Sequence, residues 1–62
     1  MNDTQKKIIQ LLSTDSSRTA AELSEKIGIT RRSIEMNIRN LKDRGILVRH
    51  GPAKGGYWEV KK

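Results

Sequence analysis

Two helix starts stand close together in the middle of the chain, and their spacing restricts the fold more than any other feature. Thr19 and Glu22 form a Thr-x-x-Glu capping box, in which each side chain bonds a free backbone N–H of the other. Gly28 stands where a left-handed residue ends a helix, and Thr30 can cap a second helix directly after it. The sequence therefore predicts two helices joined by a turn of three or four residues.

The hydrophobic pattern adds one helix before this pair and a hairpin after it. Apolar residues at helical spacing precede the pair, and after Gly45 two short aliphatic or aromatic runs flank a loop of turn-forming residues. We expect one α+β domain over residues 1–62, with three helices followed by a β-hairpin, and a very short third strand near Arg18. The elements are predicted at about 3–13, about 20–27, about 31–44 and, for the hairpin, about 46–60.

The short length of 62 residues and the absence of cysteine exclude several kinds of functional site. It has no disulfide, no thiol nucleophile and no cysteine-based zinc site, and its one histidine, His50, has no second ligand at metal spacing. A domain this small is expected to lack a cleft, so we expect no enzyme, no catalytic residue, no metal, no cofactor and no small-molecule substrate. No apolar run is long enough for a membrane span or an export signal, and a cytoplasmic location without membrane contact is expected.

The positive charge lies mainly in the second half of the chain. Of the net charge of +6, residues 1–31 carry +1 and residues 32–62 carry +5. Such asymmetry suits a polyanion partner such as nucleic acid. Lysines and arginines that only solvate a surface would give the same count, so charge alone leaves both interpretations open.

The helix predicted at about 31–44 has one apolar stripe and one free face. Ile34, Ile38 and Leu41 repeat at i, i+4 and i+7, so at 100° per residue the opposite side of the helix is predicted to face outward. The outward positions are Arg32, Met36, Arg39 and Asp43, with Ser33 and Asn40 on one flank and Glu35 on the other. Arginine can pair with guanine and asparagine with adenine in the major groove. The first turn, whose free N–H groups favour a phosphate, comprises Thr30, Arg31, Arg32 and Ser33.

Three segments of the sequence resemble one family. The run T-R-R-S-I-E-M-N-I-R-N-L-K-D-R-G-I-L resembles the recognition helix of bacterial and archaeal winged helix-turn-helix domains. The preceding T-A-A-E-L-S-E-K-I-G-I-T is similar to their second helix, and G-P-A-K-G-G-Y-W-E-V is similar to their wing and last strand, as found in modules appended to transcriptional regulators and helicase-related proteins. The resemblance covers residues 8–60. It implies the winged helix-turn-helix fold and binding of double-stranded DNA, with the third helix in the major groove and the wing against the backbone or minor groove.

The resemblance also places function at particular positions. It implies a DNA face at Thr30, Arg32, Ser33 and Asn40, with Lys54 at the tip of the wing. Together with the residue pattern, the expected DNA-contacting residues are Thr30, Arg31, Arg32, Ser33, Met36, Arg39, Asn40 and Lys54. We expect the DNA-binding part of a transcriptional regulator, with specificity supplied by a homodimer or by fusion to another domain. The alternative is a protein–protein interaction module in a larger assembly, with Met36, Tyr57 and the apolar edge of the wing as its contacts.

Overall fold

The computed structural model describes residues 2–52 and 55–61, which form three helices followed by two antiparallel strands. The elements are α1 (Asp3–Thr14), α2 (Ala20–Ile27), α3 (Arg31–Asp43), β1 (Leu47–His50) and β2 (Tyr57–Val60). The α+β class and the order of three helices and a hairpin are confirmed.

Side-chain caps fix where α2 and α3 begin. The Thr19 hydroxyl accepts a hydrogen bond from the backbone N–H of Glu22 at 3.2 Å, and the Glu22 carboxylate accepts one from the backbone N–H of Thr19, which completes the predicted capping box. At α3, the Thr30 hydroxyl accepts a bond from the N–H of Ser33 at 3.2 Å. Each cap satisfies a backbone donor that the helix itself leaves without a partner, and each stabilises its helix by about 1 kcal/mol.

The turn between α2 and α3 is closed by hydrogen bonds around one serine. Gly28 has a φ of 84° and donates its N–H to the carbonyl oxygen of Ser24 at 2.8 Å. The Ser24 hydroxyl in turn donates to the carbonyl oxygen of Ile29 at 2.7 Å. These bonds hold the chain in the tight reversal that sets α3 across α2.

One apolar core joins the three helices to the hairpin. Its buried side chains are Ile8, Leu12, Leu23, Ile34, Ile38, Leu41 and Leu47. Trp58 and Val60 are partly buried and pack against this cluster from the hairpin. Because α3 contributes three of the buried residues from a single stripe, its opposite face is left outside the core.

The hairpin has an inner and an outer face. The register pairs Leu47 with Val60 and His50 with Tyr57, so alternate residues point to opposite sides. On the outer face the His50 ring stacks on Tyr57, with ring centroids 5.1 Å apart, and its Nε2 lies 2.6 Å from the Glu59 carboxylate. Two hydrogen bonds lower the pKa of the Glu59 carboxyl: the bond with His50 has the larger effect, and the bond from Lys61 the smaller one. These contacts give His50 a packing role within the hairpin.

The expectation of a third strand near Arg18 is wrong, because the chain forms a turn just before this residue. The Asp15 carboxylate accepts bonds from the Ser17 N–H at 3.1 Å and from the Ser17 hydroxyl at 2.6 Å, which bends the segment between α1 and α2. The carbonyl oxygen of Ser16 accepts a single backbone bond from β2, from the Trp58 N–H at 3.0 Å, among the described residues. Within the described residues the sheet therefore has two strands.

Candidate nucleic-acid interface

The face of α3 opposite the core is open and carries the basic residues expected there. Arg32, Met36 and Arg39 are exposed, and Met36 shows 64% of its surface to solvent. Ile34 and Ile38 lie buried behind them. The helix is thus anchored by one stripe and free along the other, which is what insertion into a DNA groove requires.

The first turn of α3 is an electropositive helix end. Thr30, Arg31 and Arg32 are exposed, whereas Ser33 is half-buried and its hydroxyl accepts a bond from the Thr30 hydroxyl at 3.1 Å. The first backbone bond of the helix runs from the Ile34 N–H to the Thr30 carbonyl oxygen at 3.1 Å, and no acidic residue lies in this turn. The helix dipole and the two arginines both favour an anion at this point.

The flank of α3 that carries Asn40 lies against α1. Gln5, with only 6% of its surface exposed, donates from its side-chain amide to the Asn40 amide oxygen at 3.2 Å. On the same flank Asn37 donates its amide to the Ser33 carbonyl oxygen at 2.8 Å. Bidentate pairing with adenine uses both the amide oxygen and the NH2 group of an asparagine. Such a contact would therefore compete with the bond that the Asn40 oxygen accepts from Gln5.

The opposite flank of α3 opens on a cleft of about 900 Å³ between α3, the hairpin and the segment that precedes α2. The expectation that so small a domain lacks a cleft is wrong. Leu47 and Val60 anchor the hairpin to the core, and Arg49 and Trp58 from its two strands line one side of the cleft. The lining includes Arg18, Thr19, Glu35, Arg39, Lys42, Arg49 and Trp58.

Three basic residues of this cleft are missing from the site predicted from the sequence. Arg18 donates its Nε–H to the Leu11 carbonyl oxygen at 3.3 Å. The Arg49 guanidinium lies 5.2 Å from the centre of the Trp58 ring and donates to the Pro52 carbonyl oxygen at 2.8 Å. The wheel of α3 already places Lys42 on the Glu35 flank, but Arg18 and Arg49 come from other elements, and only the tertiary fold brings them here.

Three further expectations concern the tip of the wing, metal binding and membrane spans. Lys54, predicted at the wing tip, lies outside the described residues. Among residues 2–52 and 55–61, no group of three or more acidic or histidine side chains is placed to hold a metal ion. In the same part of the chain, each helix is too short or too polar to cross a bilayer.

Comparison with known proteins agrees with this geometry. The model of a family described as winged helix-turn-helix DNA-binding matches residues 1–48, which include all three helices and the start of β1. No curated protein and no solved structure matches the chain. The match covers more than half of the chain and confirms the resemblance seen in the recognition-helix and second-helix segments. The chain belongs to the winged helix-turn-helix DNA-binding family.

Proposed function

We propose that this chain binds double-stranded DNA with α3 in the major groove and the hairpin as a wing against the adjacent backbone or minor groove, as the DNA-binding part of a transcriptional regulator. The family supports DNA binding. The observation that carries the mode of binding is the open basic face of α3, with Arg32 and Arg39 exposed and the core stripe behind them.

The spacing of the two arginines fits the spacing of base pairs. Arg32 and Arg39 are seven residues apart on one face, which corresponds to roughly 10 Å along the helix axis. With about 3.4 Å between successive base pairs, the two side chains address positions roughly three base pairs apart when α3 lies along the groove. Each guanidinium can pair with the O6 and N7 atoms of a guanine or with a phosphate.

The other residues take supporting roles. The first turn, from Thr30 to Ser33, holds a phosphate with its backbone N–H groups and hydroxyls. Met36 lies between the arginines and contacts a thymine methyl group. Asn40 donates from its side-chain NH2 group, because its amide oxygen already accepts the bond from Gln5. Lys54 is assigned to the backbone beside the wing on the strength of the family resemblance alone.

The rival proposal, a protein–protein interaction module, finds less support on this surface. Its contacts would be Met36 on α3 and, on the hairpin, Tyr57 and the apolar edge of the wing; Met36 and Tyr57 are both exposed. Met36 is one apolar side chain between two exposed arginines, Arg32 and Arg39, so the outer face of α3 offers charge and little apolar area. A polyanion fits such a face better than an apolar protein surface does.

Fluorescence anisotropy with a labelled random-sequence duplex, titrated in salt, tests the proposal. If about four phosphates are neutralised, the logarithm of the association constant falls with the logarithm of the salt concentration at a slope near −3.6. Affinity then drops about 150-fold between about 50 and 200 mM salt. A folded sample that shows no binding at about 50 mM salt would overturn the proposal.

A pair of double variants locates the contact. Replacing Arg32 and Arg39 by alanine is expected to abolish binding at physiological salt. The matched control replaces Lys6 and Lys7, which are exposed on α1, by alanine and so removes the same amount of charge. This control is expected to bind nearly as well as wild type. Equal losses in the two double variants would refute the assignment to α3.

A further inference from the structure

We infer that Gln5 of α1 sets the base preference of the DNA contact made by Asn40, because it holds the Asn40 side chain with its NH2 group towards the groove. That contact then requires a hydrogen-bond acceptor, so the base that Asn40 reaches is guanine or thymine rather than adenine or cytosine. This role rests on the proposed function and deepens it, since it adds a positioning residue outside α3 and names the class of base that is read.

Gln5 is a buried amide. Among residues 2–52 and 55–61 it is the one polar side chain that is buried, with 6% of its surface exposed. Burying an amide costs free energy that an apolar side chain of similar size would not cost, unless the amide makes a hydrogen bond. Here the Gln5 Nε2 donates to the Asn40 Oδ1 at 3.2 Å. The position therefore holds a group that orients a neighbour as well as filling space.

The start of α1 aims this amide at α3. The Asn2 side chain caps α1 by accepting a bond from the Gln5 backbone N–H at 2.7 Å. A glutamine three residues after a cap can bond back to the cap residue. The Gln5 amide instead crosses to the flank of α3, where Asn40 is exposed. The buried end of the pair is thus fixed, and the exposed end is the one that a base can reach.

The bond determines which end of the Asn40 amide is available. An exposed asparagine can rotate its amide by half a turn and present either its oxygen or its NH2 group. Because the oxygen accepts the bond from Gln5, the NH2 group is the end that faces a ligand. In the major groove, guanine O6 and thymine O4 are acceptors, whereas adenine and cytosine carry an amino group at the corresponding place. A donor held in this orientation favours guanine and thymine.

Selection from random-sequence duplexes, carried out with the wild-type domain and with Asn40→Ala, first locates the contact. The position whose base preference disappears in the alanine variant is the one that Asn40 reads, and the wild-type domain is expected to prefer guanine or thymine there. Four duplexes that differ only at this base pair are then compared by competition anisotropy. The preferred base is expected to bind about threefold to tenfold better than adenine or cytosine, which is the effect of about one hydrogen bond.

Gln5→Glu tests the orientation itself. A carboxylate accepts but does not donate, so Asn40 turns its NH2 group towards the new side chain and presents its oxygen to the groove. The preference is then expected to move to adenine or cytosine. The matched control Gln10→Glu adds the same charge at an exposed position of α1 and is expected to keep the wild-type preference. Because the added charge repels every duplex alike, the readout is the ratio of affinities between duplexes.

Gln5→Met separates orientation from packing. Methionine is unbranched and fills the site without making the bond, so the ratio of affinities is expected to fall towards one while the domain stays folded by circular dichroism. A wild-type preference for adenine or cytosine, no position altered by Asn40→Ala, or wild-type ratios in Gln5→Glu would each overturn the role of Gln5. In all of these outcomes the wild-type domain still binds duplex DNA, whereas failure of the proposed function leaves no wild-type binding to compare.

Discussion

The turn between α2 and α3 makes a quantitative prediction about the substitution Gly28→Ala. Gly28 adopts a φ of 84°, and a Cβ built there meets no atom within 4 Å. The substitution therefore causes no collision, and its whole cost is the left-handed backbone conformation, about 1–2 kcal/mol for a residue with a Cβ. The total stability of a chain of this length is roughly 3–9 kcal/mol, and a loss of about 1–2 kcal/mol lowers the Tm by about 4–16 °C.

Thermal and urea unfolding followed by circular dichroism at the helical band measure this loss. Gly28→Asn is the matched control, because asparagine tolerates the left-handed region better than alanine does, and it is expected to cost less than half as much. If Gly28→Ala has the wild-type Tm, or if the asparagine variant loses as much as the alanine variant, the explanation of the turn by backbone conformation is refuted.

Two further predictions concern the core and the hairpin. Leu23 is fully buried, so Leu23→Ala is expected to cost about 2–5 kcal/mol and to shift the urea midpoint far towards zero; a wild-type midpoint would contradict the packing. The hydrogen bonds that lower the pKa of Glu59 stabilise the fold fully above its unfolded pKa of about 4.3, and this stabilisation is lost as the pH falls towards the lower folded pKa. Glu59→Gln is therefore expected to flatten the fall of the Tm between about pH 5 and pH 3, and an unchanged pH profile would contradict that coupling.

Local signals in the sequence were sufficient for the helices. The Thr19–Glu22 capping box and Gly28 mark the two ends of α2, and both act between residues at most four positions apart. The stripe of Ile34, Ile38 and Leu41 defines the buried side of α3 and therefore its open side. Such features depend on backbone geometry and helical periodicity, which the sequence states directly.

Contacts between distant residues could not be predicted in this way. The bond between Gln5 and Asn40 joins residues 35 positions apart, and nothing in either neighbourhood indicates it. Arg18, in the segment before α2, and Arg49, in β1, likewise line the cleft because the tertiary fold brings both elements beside α3. The prediction of a third strand was wrong for a local reason. The Asp15 side chain bonds Ser17 and turns the segment after α1, and residue propensities alone do not distinguish such a turn from a very short strand.

The most direct test of the account is a map of the backbone amide groups that respond when duplex DNA is added to the isotopically labelled domain, recorded by two-dimensional NMR. The account predicts the largest shifts in the first turn and along the outer face of α3, with smaller shifts in the hairpin and none at the exposed Lys6 and Lys7 of α1. Shifts concentrated on α1, or on the outer face of the hairpin around Tyr57, would contradict binding through α3.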